Sequence, residues 1–269
     1  MNEYAQNCIS SVAASLSEIM GIEAPASAGA ANPAFVKMAE TAFAGRKADR
    51  VLMYNPDAIA HYIFARYTDL LQPVLENTTL ALPMQSVMPS VTPVCFASMY
   101  SGAMPDVHGI KAYVKPVLTV DTIFDACIRA GKKPAIVSTN GDSISMIFLQ
   151  RNMDYFLYDT VEEVNTKAKE LICEDKYDLI VVYNGNYDST MHRFGPEAAE
   201  SLDALKANAK TFDELCALVR ENWKAHDTVV AFAPDHGCHL IDGGAGSHGL
   251  DQTEDMLIPH FYGAFPKAQ

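Results

Sequence analysis

Five short apolar runs dominate what this chain can fold into. They occupy residues 50–55, 134–138, 178–183, 228–234 and 258–262, and none alternates cleanly between apolar and polar side chains. Runs of this kind suit strands buried on both faces, which means a parallel sheet with helices on each side. Helical patterns fill the intervals, at 57–71, 120–130 with Gly131 as the stop, 160–172 and 197–224. Thr160 and Glu163 have the spacing of a capping box. Strand–helix alternation predicts a doubly wound, mostly parallel α/β fold with helices on both faces. Ahead of the first strand, Ile9, Val12, Leu16 and Ile19 recur at helical spacing within 3–20, and Gly21 ends the run. Residues 24–32 read as a loop, and Pro33 opens a second helix ending near Gly45. The expectation is a single domain, 1–269, in which the helices of 1–48 pack on the core. Residues 139–157 are read as a small excursion over the open end of the sheet.

Charge and cysteine usage exclude some functions. A formal charge of -13 over 269 residues disfavours a nucleic-acid scaffold, which recruits Lys and Arg. It leaves open a small phosphorylated substrate, whose binding depends on the local field. The six cysteines are scattered without a Cys-x-x-Cys pair, which predicts reduced thiols. No basic segment leads into an apolar run at the start, and no apolar stretch is long enough to cross a bilayer. These features predict a cytoplasmic enzyme without a membrane partner. They do not set the oligomeric state.

Chemistry-bearing residues collect where the strands end. Asp57 lies two residues beyond Asn55, Asp188 follows the run ending at Tyr183, and Asp235 directly follows Pro234. Ligands bind beyond the carboxyl ends of strands in open parallel sheets, so the three carboxylates are expected on one edge. A lone Asp after a strand is commonly a cap or turn residue. Three of them, two with a histidine close by, are harder to explain that way. Asp188 and His192 are four apart and would share one side of a helical turn. Asp235 and His236 are adjacent, and share an ion only on irregular backbone or divide between two neighbouring ions. His248 lies in the glycine-rich stretch 243–249. Carboxylate oxygen with imidazole nitrogen suits zinc, and manganese accepts the same donors. Thr92 precedes Pro93 and a helical run, which would set its hydroxyl at a helix N-terminus suited to a phosphate oxygen.

The run from Thr92 through Ser101-Gly102 and Pro105 to His108-Gly109-Ile110 resembles the nucleophile segment of the type I phosphodiesterase/nucleotide pyrophosphatase branch of the alkaline phosphatase superfamily. Asp188-Ser-Thr-Met-His192-Arg-Phe-Gly195-Pro196 is similar to its Asp-Ser-x-Gly-His-x-Tyr-Gly-Pro segment, with Met191 in place of the glycine. Asp235-His236-Gly237 and His248-Gly249 resemble its later Asp-His-Gly and His-Gly segments. The resemblance implies two zinc ions, one on Asp188, His192 and His248, the other on Asp57, Asp235, His236 and the Thr92 oxygen. It implies a two-step in-line displacement: Thr92 attacks phosphorus, one zinc activating its alcohol and the other stabilising the departing oxygen, and water then hydrolyses the phospho-threonine. Two divalent ions with three aspartates leave roughly +1 in the site. Cys95, three residues after Thr92, falls where the resemblance places a phosphoryl contact, although a thiol is a weak donor.

The expected substrate is a small phosphate ester. No Arg or Lys occurs between Arg66 and Lys111, which favours a diester monoanion over a monoester dianion. The second substituent would rest on Phe96 and Tyr100, and Lys111 is the cation placed to fold back onto the phosphate. The alternatives are a phosphomonoesterase or phosphonate C–P hydrolase of the same superfamily, and a non-catalytic metal- or phosphate-binding protein. His108 is read as a turn residue, His239 as a candidate neighbour of the site, and His61, His226 and His260 as surface or core histidines. Asn140 and Asp142 follow a strand, where reach into the cleft and a simple turn explain them equally.

Overall fold

A computed structural model describes residues 7–268, and the start of the expected 3–20 helix lies outside the described residues. The elements run α1 (Ser11–Met20), α2 (Pro33–Ala42), β1 (Arg50–Pro56), β2 (Leu80–Gln85), α3 (Thr92–Ser101), α4 (Ile123–Arg129) and β3 (Pro134–Thr139). They continue through β4 (Asp154–Tyr158), α5 (Val161–Glu174), β5 (Leu179–Asn184), α6 (Asn186–Phe194), α7 (Ala199–Asn222), β6 (Thr228–Phe232), β7 (His239–Leu240), β8 (Gly246–Ser247) and β9 (Leu257–Phe265), with shorter helical turns between. Seven strands form one sheet in the order β2-β9-β6-β1-β5-β3-β4. β6, β1, β5, β3 and β4 are parallel, so the doubly wound, mostly parallel α/β expectation holds.

Side chains alternate between two apolar layers, as strand pleating requires. Val51 and Met53 of β1, Val181 and Tyr183 of β5, and Val229 and Ala231 of β6 face the layer built with α1, α2, α3 and α4. Leu52, Tyr54, Ile180, Val182, Val230 and Phe232 face the layer built with α5 and α7. Both faces are buried, which is why the strands read as continuous apolar runs rather than alternating ones.

Local signals set several helix ends. Asn32 accepts the N–H groups of Ala34 and Phe35 at 3.0 and 3.1 Å and caps α2. Gly21 ends α1 in the left-handed region at φ 67°. The Thr160–Glu163 capping box forms, and a second one joins Thr122 to Asp125 at α4.

The structure departs from expectation in three places. The helix expected over 57–71 is broken: Ala58 takes φ 64°, the chain turns, and helix begins only at His61–Arg66 before a 3-10 turn at Thr68–Leu71. The run at 258–262 is antiparallel to β6 and pairs on its other side with β2, an edge strand the apolar pattern misses. Leu80, Leu82 and Gln85 of that edge are only partly buried and Ala81 and Pro83 are exposed, so it lacks the signature of a covered strand. Residues 139–157 hold a short helix, Ser143–Ile147, and the parallel edge strand β4.

Candidate active site

The carboxyl ends of β1, β5 and β6, with the loop after β8, bring six candidate ligands into two adjacent groups. Asp57, Asp235 and His236 form a fully buried group. Asp188, His192 and His248 form a more open one, with His192 43% exposed at its side chain. Asp57 follows β1, with its N–H held by the Asn184 carbonyl at the end of β5. Asp188 and His192 lie one turn apart on α6, with His192 Nε2 3.3 Å from Asp188 Oδ1. Asp235 and His236 leave β6 on irregular backbone, which lets both aim at one point. His236 Nε2 lies 3.3 Å from Asp57 Oδ1 and 3.5 Å from Asp235 Oδ2. His248 follows the two-residue strand β8, which pairs with β7. Its Nε2 lies 3.5 Å from Asp188 Oδ1 and 3.1 Å from His192 Nε2. The rings of His236 and His248 stack at 4.1 Å, so the two groups adjoin.

Two features fit these groups to metal ions. Asp57 Oδ1, Asp188 Oδ1 and Asp235 Oδ2 are buried without a hydrogen-bond partner, and these are the oxygens that converge on the imidazole nitrogens. Leaving buried carboxylate oxygens unpaired is costly unless a cation compensates them. In addition, every histidine of the set pairs its Nδ1 with a backbone carbonyl. His192 faces Gly246 at 3.1 Å, His236 faces Gly237 at 2.9 Å, and His248 faces Ser90 at 2.9 Å. With Nδ1–H donating to the carbonyl, the Nε2 lone pair points into the group, as in metal-ligating histidine.

Protonation in the two groups follows from burial and neighbours. The close approach of the Asp188 carboxylate raises His192 to about 9. Burial, then the neighbouring His236, lowers His248 to about 3 and holds it neutral. Burial, then the charge of Asp57, pushes Asp235 well above the usual carboxylate range, so this carboxyl pair retains a proton when no cation is present.

Thr92 sits against the buried group. Its Oγ1 is 3.3 Å from Asp57 Oδ2 and 3.3 Å from His236 Nε2. It is the first residue of α3 rather than its cap: extended Val91 takes that place, its carbonyl accepting from Val94 and Cys95 at 3.0 Å each. The Thr92 hydroxyl is therefore free of capping duty and faces the ligands.

The expected substrate contacts change. Cys95 and Phe96 are fully buried and offer no surface to a ligand. Cys95 Sγ contacts Ser86 Oγ at 3.2 Å, and burial raises its thiol well above the ordinary range. Phe96 packs edge-on against Tyr183 and stacks on Tyr100, itself buried. Helix α3 is covered all round, so only its first residue reaches the cleft. Lys111 is exposed and bonds Asp106 at 2.6 Å. Lys115 donates to the Gly141 carbonyl at 2.7 Å, next to Asp142. Burial, then the charge of Asp57, pushes Asp142 up to about 6, which places this carboxyl at the edge of the site. Asn140 instead bonds Asp159. Large apolar side chains are exposed near the ligands in sequence: Phe194 just after His192, Leu250 just after His248, and Leu240 on the strand paired with β8.

The other histidines have structural partners. His108 accepts the Ile110 N–H at Nδ1 and therefore donates from Nε2 to Ser98, at 2.9 Å. His239 pairs with buried Asp255 at 2.6 Å, His226 with Asp175, and His260 with Tyr262 and the Pro234 carbonyl. His61 packs edge-on against Phe64. The residue that sequence reasoning missed is Tyr183, whose hydroxyl donates to Asp57 Oδ2. The available signal was its place at the end of β5 on the face that carries α3.

Known proteins resemble this chain in sequence and in fold. The family model described as type I phosphodiesterase / nucleotide pyrophosphatase matches residues 56–126 and 131–259. A human protein, ectonucleotide pyrophosphatase/phosphodiesterase family member 7, is 31% identical over 88 residues, covering 33% of this chain and 18% of that relative. Among solved structures, human ectonucleotide pyrophosphatase/phosphodiesterase 5 superposes with a TM-score of 0.59 at 16% identity, over 72% of this chain and 58% of that one. A phosphonoacetate hydrolase from Sinorhizobium meliloti 1021, in complex with phosphonoformate, gives 0.52 at 19% identity, over 72% and 58%. These likenesses show a shared fold, and the chain spans well under two thirds of each of these proteins.

Proposed function

The chain belongs to the type I phosphodiesterase / nucleotide pyrophosphatase family, and from that premise we propose that it is a two-metal phosphoric ester hydrolase that prefers diesters and acts through Thr92. One observation carries the reading. Two adjoining groups of Asp and His, their carboxylate oxygens unpaired and their histidines fixed through Nδ1, flank a hydroxyl with no other task. The mixed oxygen and nitrogen donors suit zinc, with manganese as the alternative. Asp57, Asp235 and His236 would hold one ion, and Asp188, His192 and His248 the other. Ions bound there would act as Lewis acids toward the alcohol and the phosphoryl oxygens.

The chain's own residues do the rest. Asp57 orients the Thr92 hydroxyl by accepting its hydrogen bond, with His236 Nε2 alongside at 3.3 Å. That oxygen bonds to phosphorus as the bond to one ester oxygen breaks, and the leaving alcohol departs on the opposite side. Water then attacks phosphorus in line, the Thr92–phosphorus bond breaks, and the monoester product leaves with the hydroxyl restored.

Two features favour a diester. Among the described residues no lysine or arginine bonds Thr92, and Lys111 is paired with Asp106. The second substituent would rest on Phe194, Leu240 and Leu250, which are exposed and close in sequence or strand pairing to the histidines, rather than on buried Phe96 and Tyr100. A small phosphate diester such as a nucleotide diester fits these terms; an inactive variant of murine ectonucleotide pyrophosphatase / phosphodiesterase 5, a structural neighbour, is known in complex with AMP, the kind of monoester that hydrolysis of a nucleotide diester releases. The test is kcat/KM for matched aryl diester and monoester substrates with zinc present. Diester preference is expected. A monoester preference above about tenfold, roughly 1.4 kcal/mol, overturns it and points to a phosphomonoesterase or C–P hydrolase.

A further inference from the structure

We infer that Tyr183 is a positioning residue that holds the Asp57 carboxylate so that one oxygen serves the metal and the other serves Thr92. The inference rests on the two-metal reading above. Backbone groups orient most other ligands: three carbonyls face the three histidines, and the Ala58 N–H lies 3.4 Å from Asp235 Oδ1. Asp57 differs. Both donors to its Oδ2 are side-chain hydroxyls, Tyr183 Oη and Thr92 Oγ1. With Oδ2 occupied, Oδ1 is left unpaired and turned toward His236 Nε2 at 3.3 Å.

One of those two donors is consumed by the reaction. Once the Thr92 oxygen is bonded to phosphorus it carries no proton and cannot donate to Asp57. Tyr183 is then the remaining hydroxyl on Oδ2, at the stage when water must attack. The tyrosine is built to stay in place. It is buried at the end of β5, with its ring edge-on to Phe96 at 5.5 Å. Gly185 leaves the space its hydroxyl needs, because a Cβ there would lie 3.0 Å from Tyr183 Oη.

Tyr183→Phe removes the donor and keeps the ring, so the metal-free variant should melt close to the parent. The test titrates zinc into metal-free protein against a competing chelator. The parent should take two equivalents, and Tyr183→Phe should lose about 10–100-fold in affinity at one site only. In a His192→Ala background, where the buried group alone retains its full ligand set, the same loss should persist at the remaining site. Two sites of parental affinity in Tyr183→Phe would overturn the inference while sparing the two-metal reading. A parent protein that binds no zinc would overturn both.

Discussion

The two ligand groups share donor types but differ in access. In one, Asp57, Asp235 and His236 have at most 1% of their side chains exposed, and Thr92 lies against them. In the other, the exposures are 20% for Asp188, 43% for His192 and 7% for His248. Desolvated charges interact strongly and reorganise little, which suits the place where a bond forms to Thr92. The open group faces the solvent from which substrate and water arrive and into which an alcohol departs. Similar ligands can serve unlike tasks when burial differs: on the proposed mechanism the inner group would set the nucleophile and the outer one would meet what moves in and out.

The largest expected effect separates nucleophile from ligands. Thr92→Ala should lower kcat roughly 10³-fold or more while zinc content stays near two per chain. Activity within a few-fold of the parent, measured by diester turnover alongside elemental analysis, would erase the distinction between the groups.

Zinc affinity should depend on pH at both groups, because Asp235 is pushed upward as well, and His192 sets the part that belongs to the open group. His192 is protonated up to about 9 because Asp188 stabilises its charge, so an ion must displace that proton. Affinity at this site should therefore rise about tenfold per unit as pH increases toward 9, and level off above it. Competition titrations between pH 6 and 8 should show roughly a 100-fold change in one binding phase, and His192→Ala should weaken that phase and flatten its pH dependence. A phase insensitive to pH would contradict the assignment.

The smallest effect is expected at Asp142. Its folded-state pKa of about 6 exceeds the unfolded value, so in metal-free protein stability falls as pH rises from about 4 through 6 and stays lower above. Asp142→Asn should then stabilise the metal-free protein by about 1–2 kcal/mol at pH 7, allowing for partial exposure. Bound ions would offset Asp57 and Asp188 and shrink the difference. Equal denaturation midpoints for parent and variant without metal would show that Asp142 does not feel the two groups.

Much of this arrangement was legible in the chain. Strands buried on both faces leave apolar runs, and Asp57, Asp188 and Asp235 stand just beyond three of them. The i, i+4 spacing of Asp188 and His192 became one face of α6. What was not legible depends on tertiary packing. The burial of Cys95 and Phe96 arises because α3 is covered on all sides, and its sequence has no polar stripe to reveal or deny that. The edge strand β2 pairs by backbone bonds that its mixed side chains do not announce. The link from Tyr183 to Asp57 joins residues 126 positions apart, and the carbonyls of Ser90, Gly237 and Gly246 that fix the histidines have no side-chain signature at all.

The central claim is that Thr92, and not water, makes the first bond to phosphorus. The direct measurement is the stereochemical course of hydrolysis of a chiral phosphorothioate diester in isotopically labelled water. Two successive in-line displacements each invert phosphorus, so attack by Thr92 followed by water predicts overall retention. Overall inversion would mean a single displacement by water and would contradict the covalent role assigned to Thr92.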